Sequence, residues 1–277
     1  MSRVERLPRD DADYRRRESG IALLPKEHGA YGQLLFPLIT AMAVGRPGVA
    51  AWSFAAAAVC AFLAHEPLLI LLGQRGPCAR WERQDDAVRW FAAFATVSAA
   101  LGAVAFVLMT PIARLAVVVP IAFALILAGL IFAHQERTTI GEAVSAMTLA
   151  SVAIPLAVAS GASMTTAVTC AAAFGSGFVT ATICVHAVIA HARCPPGTRP
   201  RASAILMTLA VLSILVSLRS RGLVASVAPW AAAPLLVVGA ALAAVPPSAR
   251  QLRIIGWTLV ATTAATSLVL IAALRYY

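Results

Sequence analysis

The stretch that decides the fold is residues 49–72, VAAWSFAAAAVCAFLAHEPLLILL. A helix rises about 1.5 Å per residue, so this apolar run is long enough to cross a bilayer, and it predicts a membrane-spanning helix. Near its end the run carries His65 and Glu66, followed by Pro67. Ionisable side chains are costly at that depth, so we expect them to face the interior of a bundle and to serve a function. The alternative interpretation is structural: one buried pair, either His–Glu or Glu–Arg, that stabilises the bundle and has no other function.

The composition extends this prediction to nearly the whole chain. Of 277 residues, 60% are hydrophobic and 12% are charged, and the mean hydropathy is +0.84. A soluble domain carries about a quarter charged residues. We therefore predict an all-α, polytopic transmembrane bundle, with residues 25–277 as a single domain and residues 1–24 as a disordered cytosolic tail. About nine spans are expected, with eight as the alternative count, at residues 32–47, 49–72, 87–109, 111–133, 143–160, 163–190, 202–218, 224–244 and 251–274. The first, fifth and seventh of these are the short ones.

Positive charges are distributed unevenly between the two ends of these spans. If the N-terminus is cytosolic, seventeen of the 22 lysines and arginines fall on the cytosolic side. This bias predicts a cytoplasmic N-terminus and an external C-terminus. All twelve acidic residues and all five histidines fall on the cytosolic side as well. Short outer loops explain part of that pattern, but we favour one face that carries the chemistry or the binding.

Two other classes of protein are excluded by the sequence. The net charge of +10 does not indicate nucleic-acid binding, because the arginines lie in short loops without interleaved aromatic residues that would stack on bases. The five cysteines form no CxxC pair, which argues against disulfides and against a zinc knuckle. The partner that the sequence does predict is the lipid bilayer.

The polar residues that follow the fourth span have a partly structural explanation. Thr138 or Thr139 is expected to cap the next helix, and Thr139 with Glu142 fits a Thr-x-x-Glu capping box. Glu142 is therefore explained without a function. His186, alone on an apolar helix, is more simply explained as a satisfied core residue.

The remaining polar residues are expected to line one cytosol-facing cavity. Carboxylates and imidazoles can hold a divalent ion such as Mg²⁺, and arginines can receive phosphate. The candidate catalytic residues are His65, Glu66, Glu136 and Arg137; the candidate substrate-binding residues are Lys26, Glu27, His28, Tyr31, Arg75, Arg80 and His134; the candidate metal ligands are His65, Glu66 and His186.

Three functions are compatible with such a cavity. The first is binding or transfer of a lipid-like, prenyl-type substrate, with arginines on its anionic head and Glu66 and Glu136 holding a metal or acting as base. The second is a carrier for a small ion or solute that uses the same residues. The third is metal or haem binding in a membrane assembly partner, for which His65 and His186 are the pair to test.

Three motifs resemble the YwiC-like family of bacterial integral membrane proteins. They are KEHGAY at residues 26–31 with its continuation to Pro37, HEP at residues 65–67, and ERTTIGE at residues 136–142. The resemblance extends over most of the chain. The resemblance implies an integral protein of the bacterial inner membrane, and it implies no particular mechanism.

The predicted architecture is also similar to that of the UbiA-type intramembrane prenyltransferases. That resemblance implies an isoprenoid diphosphate held by Mg²⁺ and Asp-rich motifs after spans two and six. The chain departs from the pattern, since His65-Glu66 stands near the first motif and two histidines without a carboxylate stand near the second. Asp85 and Asp86 are adjacent, and therefore lack the spacing that places two carboxylates on one helix face.

Overall fold

The computed structural model of the chain describes residues 28–193, 199–244 and 252–275. Within these ranges the only regular secondary structure is helical, which confirms the all-α prediction. The predicted tail at residues 1–24 lies outside the described residues, and so do two candidate site residues, Lys26 and Glu27.

The described residues form eleven helices, which combine into nine apolar stretches. The helices are α1 (His28–Ala43), α2 (Val49–Leu71), α3 (Pro77–Leu108), α4 (Pro111–Ala116), α5 (Val118–Phe132), α6 (Thr139–Ser151), α7 (Ala153–Ala159), α8 (Met164–Arg193), α9 (Arg199–Ser220), α10 (Ala228–Ala244) and α11 (Leu252–Leu274). A single residue separates α4 from α5, and a single residue separates α6 from α7, so each pair forms one stretch. The count of nine agrees with the prediction.

Six of the nine stretches are long and apolar enough to cross a membrane. They are Val49–Leu71, Pro77–Leu108, Pro111–Phe132, Thr139–Ala159, Met164–Ile189 and Arg253–Leu274, and the shorter ones are Gly29–Ala43, Ala204–Ser220 and Ala228–Ala244. The prediction that the fifth stretch is short is therefore wrong, and the eighth is short instead. The eighth begins late because Ala225 N donates to Thr169 Oγ1 at 2.8 Å and Ala228 N to Ala225 O, so a turn occupies these residues and the helix starts only at Ala228.

Prolines explain the breaks inside two of the stretches. The break between α4 and α5 falls at Val117, and that between α6 and α7 at Val152. In each case a proline follows three residues later, at Pro120 and at Pro155. Proline has no N–H to donate, and its ring crowds the carbonyl four residues earlier, so the hydrogen bonding of the helix is interrupted there.

The turns that divide the first four spans form where the sequence predicted them. The side chain of Thr110 accepts a hydrogen bond from Ala113 N, and Pro111 takes the first position of α4, where its missing N–H costs nothing. In the turn after α1, Arg46 N donates to Ser160 O at 2.6 Å. A side chain on Gly45 would collide with the backbone of Ser160, so this close approach requires glycine.

Contacts divide the described chain into two compact units, of which the first is residues 56–102. In it α2 and α3 pack antiparallel. The hydroxyl of Ser98 donates to Ala57 O at 2.9 Å, and Ile70 and Ala87 are buried together at the other end of the pair. This hairpin carries the HEP motif and the turn that follows it.

The second unit comprises residues 29–55 and 103–275 and is arranged around α8. A Cβ atom built on Gly175 would lie 2.8 Å from Met147 Sδ of α6, and one built on Gly177 would lie 2.5 Å from Leu235 Cδ1 of α10. The Gly-Ser-Gly run of α8 therefore lies where α8 approaches both neighbours, and small residues of this kind allow helices to pack closely. The prediction of a single domain stays a prediction.

Candidate functional site

The polar group in the first unit is an ion pair between Glu66 and Arg75. Arg75 Nε donates to Glu66 Oε1 at 2.8 Å, and Arg75 Nη2 donates to Glu66 Oε2 at 2.5 Å. The arginine side chain is 22% exposed and the glutamate side chain 17%. Of the two structural pairs considered for Glu66, the structure shows the Glu–Arg pair. The arginine neutralises the charge of the carboxylate within the apolar run. His65, the residue before Glu66, is half-buried.

The backbone of the turn between α2 and α3 determines where Arg75 lies. Gly73 N donates to Ile70 O at 3.0 Å and Gln74 N to Leu69 O at 2.9 Å, which is the Schellman ending of a helix. The two glycines that flank Arg75 closely, Gly73 and Gly76, have φ values of +75° and +94°. Only glycine adopts such values without strain, so these residues fix the course of the turn.

A second arginine lies over the same turn. A methyl group built on Gly73 would lie 3.9 Å from Arg80 Nη1, so the guanidinium of Arg80 is next to the turn that carries Arg75. Arg80 is exposed, and the ion pairs of the described residues do not include it. The structure therefore brings together two of the predicted substrate-binding residues.

The polar group in the second unit joins α6 to α8. His186 Nε2 lies 2.8 Å from Glu142 Oε2, and the side chains are 28% and 48% exposed, respectively. The predicted capping box is wrong. Thr138 is the N-cap and accepts from Gly141 N at 3.2 Å, so Thr139 is the first residue inside the helix. Glu142 instead belongs with His186, a pairing that the sequence analysis missed because it assigned Glu142 to the cap.

His134 occupies a backbone position that glycine fills elsewhere in the chain. His134 N donates to Ile131 O at 3.0 Å and Gln135 N to Leu130 O at 2.8 Å, so α5 ends in a Schellman motif with His134 at the left-handed position, at φ +57°. The same hydrogen-bond pattern ends α2, α7 and α9, with Gly73, Gly161 and Gly222 at that position. A histidine there is strained relative to glycine.

Replacing His134 with glycine is therefore expected to stabilise the chain. The left-handed conformation costs a residue with a side chain about 1 kcal/mol, so His134→Gly should raise the free energy of unfolding by about that amount. The measurement is thermal unfolding of the purified protein in detergent. The reverse change at a matched position, Gly222→His, should lower the melting temperature. A lower melting temperature for His134→Gly would show that the imidazole contributes more to the turn than its backbone costs.

The other candidate residues lie as follows. Glu136 is half-buried and Arg137 is exposed on the turn before α6, and Tyr31 is half-buried in the first turn of α1. His28 is the first residue of α1, and its side chain lies outside what the structure describes.

A metal site requires several donor side chains close together, and His65, Glu66 and His186 were predicted to supply them. In the part of the chain that the structure describes, no group of three or more His, Cys, Asp or Glu side chains could hold a metal ion. Both carboxylate oxygens of Glu66 accept from Arg75, and a metal cation bound to this carboxylate would be repelled by the neighbouring guanidinium. The described residues therefore do not fit the Mg²⁺ that the UbiA-type resemblance implies, and the metal ligands stay a prediction.

Together the apolar stretches and the ion pairs at their ends define a polytopic helical protein of membrane type. The family model described as YwiC-like protein matches residues 24–157, so this segment of the chain is similar to that family. All three motifs that carried the resemblance lie inside the match. The match covers just under half of the chain, less than the sequence analysis expected. No curated protein and no solved structure matches the chain, so the likeness to UbiA-type enzymes stays a prediction.

Proposed function

We propose that this YwiC-like chain binds an amphipathic, lipid-like molecule with an anionic head at the turn between α2 and α3. The observation that carries the proposal is the pair of guanidinium groups, Arg75 and Arg80, at one turn at the end of an apolar helix hairpin. Arginine is the residue best suited to bind phosphate and carboxylate through paired hydrogen bonds. The arginine bias in the sequence supports placing this turn at the cytosolic face of a bacterial inner membrane.

The apolar surface of α3, which begins after the charged residues 80–89, is suited to the tail of such a molecule. On α3, the outward-pointing side chains of Trp90 and Val97 are 40% and 46% exposed. In a bilayer this surface meets acyl or isoprenoid chains, while tryptophan favours the level of the headgroups. A molecule with its head on the arginines and its tail along α3 would place its charged part and its apolar part each next to matching protein surface.

Binding is better supported than group transfer. In transfer, Glu66 would have to act as a base or hold a metal, but both its oxygens are engaged by Arg75. Catalytic roles for His65, Glu136 and Arg137 need a reacting group near them, and they remain predictions.

The proposal is tested by identifying the lipids that co-purify with the protein. The wild type, Arg75→Gln and Arg80→Gln are purified from the same membranes in a mild detergent, and bound lipids are quantified by mass spectrometry. Arg75→Gln and Arg80→Gln should each carry several-fold less anionic lipid than the wild type. Arg89→Gln is the matched control, because it makes the same charge change on the exposed surface of α3, where Arg89 pairs with Asp86 at 3.8 Å. Equal lipid content in all four proteins would contradict the proposal.

A second candidate, a carrier for a small ion or solute, is favoured by Glu142 and His186. They place a carboxylate and an imidazole in contact between two apolar helices, and intramembrane pairs of this kind mark ion and proton pathways. Flux into proteoliposomes that Glu142→Gln and His186→Gln abolish would favour the carrier. Lipid co-purification that depends on Arg75, without any flux, would favour the first proposal.

A further inference from the structure

We propose that Glu66 is an internal competitor for the ligand: its carboxylate occupies, on Arg75, the place that the anionic head of the ligand takes. Binding is then an exchange, in which the head displaces Glu66 from the guanidinium. The inference rests on the function proposed above and adds the chemical class of the head and the means by which the empty site is kept neutral.

The geometry of the ion pair identifies the class of the head. Glu66 is bound through two parallel hydrogen bonds, from Nε and Nη2 of Arg75 to its two oxygens. This edge of a guanidinium matches any group that presents two anionic oxygens side by side, which in biological ligands means a carboxylate or a phosphate. The carboxylate of Glu66 thus stands in for such a head. A phosphate carries more charge than a carboxylate, and its additional charge suits Arg80 at the same turn.

The pair is accessible enough for an exchange. Both side chains keep about a fifth of their surface exposed, so the pair is not sealed inside the hairpin. The glycines at 73 and 76 hold the backbone around Arg75, and the hydrogen bond from Gly76 N to Gly73 O, at 3.0 Å, closes the turn. Because these backbone constraints do not involve Glu66, the guanidinium is expected to stay at the turn after the carboxylate leaves.

The exchange has an energetic consequence that separates a lipid from a free anion. The head replaces one charge-assisted pair with another, so the head alone gains little net free energy. The displaced carboxylate must also be rehydrated at the end of α2, and only the burial of the tail is an uncompensated gain. A phosphate on a lipid should therefore bind clearly better than inorganic phosphate.

The experiment compares three variants with two phosphate probes. Affinities of the purified protein for dioctanoyl phosphatidic acid and for inorganic phosphate are measured by titration calorimetry. Glu66→Gln keeps the shape of the side chain but removes its charge, and it should tighten phosphatidic acid binding on the order of tenfold, the usual worth of a hydrogen bond to a charged group. Arg75→Gln should abolish binding. Asp86→Asn is the control: it makes the same charge change as Glu66→Gln, in the exposed pair with Arg89, and should leave the affinity unchanged.

The outcomes distinguish the two proposals. If Arg75→Gln abolishes binding while Glu66→Gln leaves it unchanged or weaker, the exchange is overturned and the binding function stands. If Glu66→Gln and Asp86→Asn tighten binding equally, the effect is one of net charge, and the exchange is overturned as well. If the wild type binds neither probe and Glu66→Gln does not bind either, both proposals fail. Should Glu66→Gln not fold, Glu66→Asp serves instead: its carboxylate is one methylene further from Arg75, and it should tighten binding by a smaller factor.

Discussion

Replacing Arg75 with leucine is expected to lower the free energy of unfolding by about 3 kcal/mol, because it leaves Glu66 without its partner. The two hydrogen bonds of the pair, at 2.8 and 2.5 Å, are made where the carboxylate is only 17% exposed. Removing one member of a buried ion pair costs about 3–5 kcal/mol, since the remaining charge stays desolvated. The residual exposure of this pair favours the lower end of that range.

A double-mutant cycle separates the pair from other effects of the substitution. The variant with leucine at both Arg75 and Glu66 should recover most of the lost stability, because replacing a buried pair with apolar residues is often close to neutral. Arg89→Leu, which breaks an exposed pair of 3.8 Å, should cost less than about 1 kcal/mol. Thermal unfolding in detergent of the wild type, Arg75→Leu, Glu66→Leu and the double variant completes the cycle, and Arg89→Leu is measured in the same way. A double variant that is no more stable than Arg75→Leu would show that the two residues do not depend on each other.

The helices were predictable because apolar runs and turn residues both leave local signals. Each of the nine apolar stretches overlaps a predicted span, and the turns at Gly45 and at Thr110-Pro111 form as their chemistry requires. The start of α10 was not predictable in this way. The late start of α10 depends on the hydrogen bond from Ala225 N to Thr169 Oγ1 of α8, a contact between residues far apart in the sequence that leaves no local signal.

The candidate site was predictable only where its partners are close in sequence. Glu66 and Arg75 are nine residues apart, and a Glu–Arg pair was one of the interpretations that the sequence allowed. Glu142 and His186 are 44 residues apart, and a capping box offered Glu142 a local explanation. One signal could have found them. Their helical stretches are consecutive, with Glu142 18 residues before and His186 23 residues after the turn at residues 160–163, so an antiparallel pair brings them towards the same end.

Replacing Gly141 with alanine is expected to be among the most damaging single changes in the chain, at about 3 kcal/mol or more of unfolding free energy. Gly141 is buried in the first turn of α6. A Cβ atom there would collide with the backbone carbonyl oxygens of Gln135 and Glu136. Neither atom belongs to a flexible side chain, so relief requires the turn before α6 to move, and overpacking of this kind costs typically about 1–3 kcal/mol even where side chains can adjust.

The damage should extend beyond stability, because the same turn positions the second polar group. Moving residues 135–138 would pull Thr138 from its hydrogen bond to Gly141 N, 3.2 Å at present, and would tilt the first turn of α6, which carries Glu142 towards His186. Gly129→Ala is the matched control. Gly129 lies inside α5 with open space where a methyl group would go, so alanine should raise stability by about 0.5–1 kcal/mol through its higher helix propensity. The two variants add the same methyl group and are expected to shift the melting temperature in opposite directions. If both variants raise the melting temperature, the carbonyl oxygens of Gln135 and Glu136 do not lie close enough to Gly141 to exclude a methyl group.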